Sequence, residues 1–408
     1  MVQTLITPSI IAKESLFQLE NNVVMGQLVH RKYKNEFVKI GDTVTIRKPV
    51  KFVASNGATR VNQDVVETTT SIVINNRKHV SWGFSTQDLT LTIEEYSERY
   101  IKPAMIVLAN TIDAALLLEA KNNFPNIVGT PGTTPATFLS LANVGQRMDD
   151  IPVPDDGMRK LVINPAARWA LANGLGGTGS GGIFNADIVH SMVRKGQLGE
   201  LANIMIYGDQ NVQTHLTGTY SGAPILNNAG FVNGTAVVAI TGMTGSVSNV
   251  LNLGDIITLA GVFAVNDISK ASTGVLKQFM VVSTPNNTTA GAVTITVSPA
   301  LNDGSTASTA AYKNVSALPA NGAVITIFGT SAVTYARNQA FHENALALVT
   351  VPLELPDSAV FKARADWRGY SIRVIKDYDI DLDIEVIRLD ILFGTKAIYP
   401  ELGVQLTG

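Results

Sequence analysis

Between positions 222 and 336 the chain carries only six charged side chains, Asp255, Asp267, Lys270, Lys277, Asp303 and Lys313, and no Arg, Glu, His or Trp. The flanking segments are charged at ordinary density. A shift this abrupt, set between segments of α/β character, predicts a small all-β domain inserted into a host domain. Within it, strand-like runs at 237–240, 255–260, 279–282, 293–297 and 324–328 are separated by Gly, Asn and Pro turns, the pattern of a small barrel or sandwich.

The rest of the chain sets the frame for that insertion. With 408 residues and 46% hydrophobic content the protein has enough apolar surface for two or three cores. A net charge of −2 gives no global field that would draw it onto nucleic acid or an anionic membrane. It has no Cys, which excludes disulfides, thiol nucleophiles and Cys-ligated zinc. No basic run precedes an apolar block at the N-terminus, and Asn110 and Asp113 interrupt the most apolar stretch, 104–118. Neither export nor membrane spanning is expected.

Ile11, Leu16, Leu19, Val23 and Leu28 recur at helical spacing after Thr7 and Pro8 and predict a helical arm. From Gly41 the pattern turns strand-like, through TVTIRKPVKFV, a polar tip at 55–62 and a returning run VVETTTSIVINNRKHVSW. These form a ribbon of about forty residues, too long to stabilise itself, so it is expected to lie on another surface such as a neighbouring subunit. Residues 92–124 read as one helix on the order of 50 Å long, kinked by Pro103. Helices at 137–148, from 165 and at 185–193, and strands at 160–163 and 204–207, follow. Past the insertion come three strand-like segments, ALALVTVPLEL, SIRVIKDYDIDLDIEVIRLDILFGT and AIYPELGVQL.

Candidate chemistry is thin. Gly174, Gly176 and Gly179 spell G-x-G-x-x-G but follow a helical pattern where a dinucleotide loop needs a strand, so they read as a loop. His30, His79, His190, His215 and His342 lack metal-ligand spacing. Neither a catalytic constellation nor a cofactor or metal is expected. Arg47, Lys48, Lys51, Arg60, Arg77 and Lys78 make the ribbon basic, for charge pairing with another subunit or contact with nucleic acid. Asp377, Asp379, Asp381, Asp383 and Glu385 alternate with apolar residues, which predicts a strand with one acidic face, suited to an intersubunit contact or, less directly, to calcium.

The element order, together with ITPSIIAKESLFQLENNVVMGQLVHRKY, GDTVTIRKPVKF, FHENALALVTVPLELP and YDIDLDIEVIRLDILFGTKAIYPELGVQL, resembles the major capsid proteins of tailed bacteriophages. It is similar to the Hong Kong 97-type fold in its P-twenty-two-like subgroup. The resemblance implies an α+β fold with an N-terminal helical arm (1–36), an extended β-hairpin loop (37–85) and a peripheral domain with a spine helix (86–136). An α/β axial domain (137–222), an inserted β-barrel (223–336) and return strands (337–408) would complete it. It further implies a non-enzymatic virion protein assembled in the host cytoplasm. Hexamers and pentamers of this chain would form a closed shell with a scaffolding protein and a portal, around double-stranded DNA contacted non-specifically and without a membrane. The alternatives are an encapsulin-like compartment shell, which would not be expected to carry the insertion, and a carbohydrate-binding protein using the β domain. The latter is disfavoured because Phe231, Phe263, Phe279, Tyr312, Phe328 and Tyr335 are few and embedded in strand patterns.

Overall fold

The computed structural model describes residues 8–31, 43–54, 57–58, 60, 62–63, 65–85, 97–151, 153–176, 198–228, 230–287, 291–357, 359, 361–379 and 384–408. The chain divides into two compact units, one of Met1–Ile46, Thr70–Leu116 and Leu346–Ile398, the other of Arg47–Thr69, Leu117–Ala345 and Tyr399–Gly408.

In the first unit the arm forms helices Pro8–Asn22 and Met25–Leu28. The five apolar residues whose spacing predicts the arm are all buried. Where the two helices meet, Val24 N and Gly26 N donate to the buried Asp113 carboxylate at 2.8 and 3.2 Å. Those donors satisfy a carboxylate that burial would otherwise penalise. Gly26 is required here, because a Cβ would fall 2.5 Å from Tyr370 Oη. Asp113 lies on helix Lys102–Asn123, which a π-helical turn, Ser97–Ile101, leads into. The single helix expected over 92–124 is therefore composite over its described part, with residues 92–96 outside the described residues. Pro103 falls in the first turn of the α-helical part, where a missing N–H costs least. By length and composition the stretch Glu98–Asn123 could cross a membrane, but Met105, Leu108 and Ile112 are buried in protein.

The antiparallel sheet of this unit runs in the order Leu346–Thr350, Ile384–Ala397, Tyr370–Asp379, Phe361–Trp367. Strand Asn76–Ser85 also pairs with Ile384–Ala397, from Ser85 opposite Ile384 to Asn76 opposite Phe393. The ribbon's return arm is thus divided. Thr69–Val73 pairs with Thr43–Arg47, while Asn76–Ser85 joins the larger sheet.

In the second unit a six-stranded sheet has the order Asn126–Val128, Gly403–Leu406, Asn338–His342, Arg159–Ile163, Ile204–Gly208, Glu200–Leu201. Helices Phe138–Asp150 and Pro165–Gly176 pack on it, and Asn164 Oδ1 caps the latter by accepting from Ala167 N at 2.8 Å. Gly174 and Gly176 lie inside this helix, which corrects their reading as a loop; Gly179 and residues 185–193 are outside the described residues. One core cluster joins Leu141, Leu161, Leu171 and Ile204 with Ala340 and Val404, residues from both sides of the low-charge segment.

The low-charge segment builds its own antiparallel sheet. Its order is Ile325–Ile327, Ile256–Val265, Ser272–Val281, Val293–Ser298, Val237–Met243, Gly222–Leu226. A bridge between Ile225 and Val324 joins the two ends, and Val238, Ile240, Ile257, Phe279 and Ile295 fill a separate core. Thr214–Leu216, which leads into this segment, pairs antiparallel with Thr334–Ala336, which leads out of it. The two form a narrow neck.

Candidate assembly surfaces and polar anchors

The loop between the paired strands Thr43–Arg47 and Thr69–Val73 lies against the low-charge segment of its own chain. Lys51 Nζ is 2.6 Å from Asp267 Oδ2, and Tyr312 Oη donates to Val66 O at 2.5 Å. Burial raises the Asp267 carboxyl, but Lys51 and Lys270 outweigh it and hold the group below the usual carboxylate range. Arg47 pairs with Glu67 at 3.1 Å, and Lys48 Nζ sits 5.1 Å from the centre of the Tyr399 ring. Arg60 is exposed. Arg77 and Lys78 belong to strand Asn76–Ser85 of the first unit, so the six basic residues do not share one element. Spacing does not mark Asp267 as a partner of the ribbon, because 216 positions separate it from Lys51.

The acidic stretch is not one strand. Tyr370–Asp379 and Ile384–Ala397 pair antiparallel, so the chain reverses between them. Asp377 stands opposite Val386 and Tyr378 opposite Glu385. By register, positions 377 and 385 therefore fall on opposite faces of the sheet, and the expected single acidic face is corrected. Asp377 is exposed and accepts from Tyr378 N at 3.0 Å. Asp379 and Glu385 occupy strand ends, and Asp381 and Asp383 lie outside the described residues.

Three arginines of this sheet converge instead on Asp390, a fully buried carboxylate. Arg373 Nη2 reaches Asp390 Oδ2 at 2.6 Å, Arg388 Nε reaches Oδ1 at 2.9 Å, and Arg77 Nη2 stands 3.7 Å from Oδ1. Arg373 and Asp390 are direct cross-strand partners, which brings their side chains together without a long reach.

A second anchor sits at the neck. The buried Arg337 donates to Gly254 O at 2.6 Å, to Gln405 Oε1 at 3.1 Å and to Tyr335 Oη at 2.9 Å. Beside it, His215 Nε2 is 2.7 Å from Asp255 Oδ1, while Asp255 Oδ2 accepts from Gly218 N and Asn252 N at 3.0 and 2.7 Å. Burial pushes the His215 imidazolium below its ordinary value more strongly than Asp255 draws it up, and Arg337 and Lys121 add repulsion. The neutral ring therefore donates from Nε2 to the carboxylate. Asp255, one of the six charges of the low-charge segment, is thus a structural tie between that segment and its host. Within these two anchors the carboxylates are occupied by protein donors, an arrangement that fixes the chain's geometry.

Three large sheets, a looped ribbon and buried polar anchors that tie strands together make up a β-rich structural framework. The chain belongs to the family described as P22 coat protein, gene protein 5, whose family model matches residues 4–408. A curated relative, the major capsid protein of Acyrthosiphon pisum secondary endosymbiont phage 1, is 24% identical over 330 residues, 76% of this chain and 75% of the relative. Among solved structures, a chain of Mycobacterium phage Che8 is 14% identical with a TM-score of 0.48, covering 94% of this chain and 90% of that one. The CUS-3 coat protein I-domain is 28% identical with a TM-score of 0.19, covering 29% of this chain and 97% of that domain. The fold is thus α+β of the Hong Kong 97 capsid type, and the protein is a phage major capsid protein that self-assembles into the virion shell.

Proposed function

We propose that the shell is an icosahedral phage head, built in the host cytoplasm from hexamers and pentamers of this chain with a scaffolding protein and a portal. It encloses double-stranded DNA, which its inner surface contacts non-specifically, and the subunit acts structurally without catalysis. The observation that carries this reading is the family match over residues 4–408. The domain division proposed with it is the one the sequence suggests, with 223–336 as a barrel inserted between axial segments. The separate core of the low-charge segment and its two-stranded neck support that division.

Arg47, Lys48, Arg60, Lys78 and Asp377 are proposed to meet neighbouring subunits, together with Asp379, Asp381, Asp383 and Glu385. Lys51 and Arg77 would contribute mainly within their own chain, because Asp267 and Asp390 already engage them. Electron microscopy of the protein expressed with its scaffolding partner should show closed shells of one size, and particles from infected cells should contain double-stranded DNA. Purified protein that stays monomeric under all scaffold conditions, or native shells filled with protein cargo in place of DNA, would overturn the reading.

A further inference from the structure

A cavity of about 470 Å³ lies within the second unit, lined by helix Phe138–Asp150, strand Ser272–Val281 and the loop through Lys51 and Val66. Val66, Ile151, Val265, Pro299 and Leu402 supply apolar wall. Its charged lining consists of Lys51, Arg147, Lys277 and Lys313 against Asp150, Asp267 and Glu401, with the Tyr312 phenol also present. Asp267 is engaged by Lys51 and Lys270 at 2.6 and 3.0 Å.

Arg147 and Lys277 differ from the other cations. Arg147 is only 7% exposed, its Nη2 donates to the neutral Asn126 Oδ1 and Gln278 Oε1 at 3.2 and 3.3 Å, and its Nε has no partner. Among the described residues no carboxylate lies within 4.0 Å of Arg147 or of Lys277. Burial, and then repulsion from Arg147, push the Lys277 ammonium down to about 8. A buried guanidinium beside a part-buried ammonium, neither of them ion-paired at short range, is costly, and a bound anion is the direct way to offset that cost. Asp150 attracts Arg147, and Glu401 and Asp267 attract Lys277, beyond ion-pair distance, so the lining favours one added negative charge over several. The volume falls within the range of small-molecule sites, roughly 300–1,000 Å³.

We propose that this cavity binds a small amphipathic monoanion, its carboxylate seated between Arg147 and Lys277 and its short apolar body against the surrounding wall. The probe is octanoate, titrated into the purified full-length protein. At about pH 7 it should raise the melting temperature saturably, and at about pH 9 the response should shrink several-fold as Lys277 loses its proton. Octanol and inorganic phosphate, which carry only one half of the proposed chemistry each, should give no comparable shift. Lys277→Met keeps the stem volume and should weaken octanoate binding at least about tenfold, while Lys277→Arg should retain it. In the unaltered protein, the lysine Cε resonance that titrates near pH 8 should move its midpoint upward when octanoate is added. Equal shifts from octanol or phosphate, an unchanged response in Lys277→Met, or a lysine midpoint unmoved by octanoate would each overturn the proposal.

Discussion

Asp390 receives three guanidinium groups and has no exposed surface, so its removal would leave buried positive charge without compensation. Asp390→Asn should therefore destabilise the unassembled protein by about 3–5 kcal/mol in urea unfolding; a loss under about 1 kcal/mol would show that Arg373 and Arg388 find other partners. His215 carries the pH response. Its folded form resists protonation relative to the ordinary value of 6.5, so the unfolded chain binds the proton more readily. The stability it contributes is full above that value and is lost as pH falls below it, through the interval down to the lowered folded value. Between about pH 7.5 and about pH 5.5 the melting temperature of the wild type should fall, and His215→Gln, which can still donate to Asp255, should show a flatter profile. Parallel profiles would remove His215 as the cause. Neither anchor was legible in the sequence, because Asp390 meets Arg77 and Asp255 meets His215 only once strands have paired. What could be read was local: Ile11, Leu16 and Leu19 declare their helix through spacing alone.

At the scale of elements, the strands of the low-charge segment were readable from alternation and turn residues, and each expected run overlaps an observed strand. The reversal after Asp379 was not. YDIDLDIEV keeps its two-residue period across the boundary between the two antiparallel strands, with no Gly, Pro or Asn among its residues. The ribbon's length and charge were likewise visible, whereas its resting place was not, since that depends on Asp267 and Tyr312 from remote positions. The tie through Asp267 makes its own prediction. Lys51 and Asp267 are both partly exposed, so the pair is worth about 0–1 kcal/mol after solvent screening. Asp267→Asn should thus leave global stability within about 1 kcal/mol of wild type while hydrogen exchange across 47–69 accelerates. Unchanged exchange would mean that the Tyr312 contact alone holds the loop.

For the whole molecule, the separate core of the low-charge segment implies that the host can survive without it. Joining residue 222 to residue 334 through a short Gly-Ser bridge keeps the strand pair of the neck, and the host core from Leu141 to Val404 is untouched. The shortened protein should be soluble and folded but less stable, because Arg337 loses its bond to Gly254 O and His215 loses Asp255. Circular dichroism and cooperative unfolding would check this, and a molten or insoluble product would show that the two cores are one. The composition shift made this boundary legible, while the pairing that closes it needed the strands themselves. The long strand Ile384–Ala397 has a consequence in time. Ser85 meets Ile384 and Asn76 meets Phe393, so the edge of Asn76–Ser85 lacks this partner until about 300 further residues have left the ribosome. At about 5–20 residues per second that delay is roughly 15–60 s. Over that interval the early strand would wait with an open edge, and the cell must shield it from neighbouring nascent copies until Ile384–Ala397 arrives.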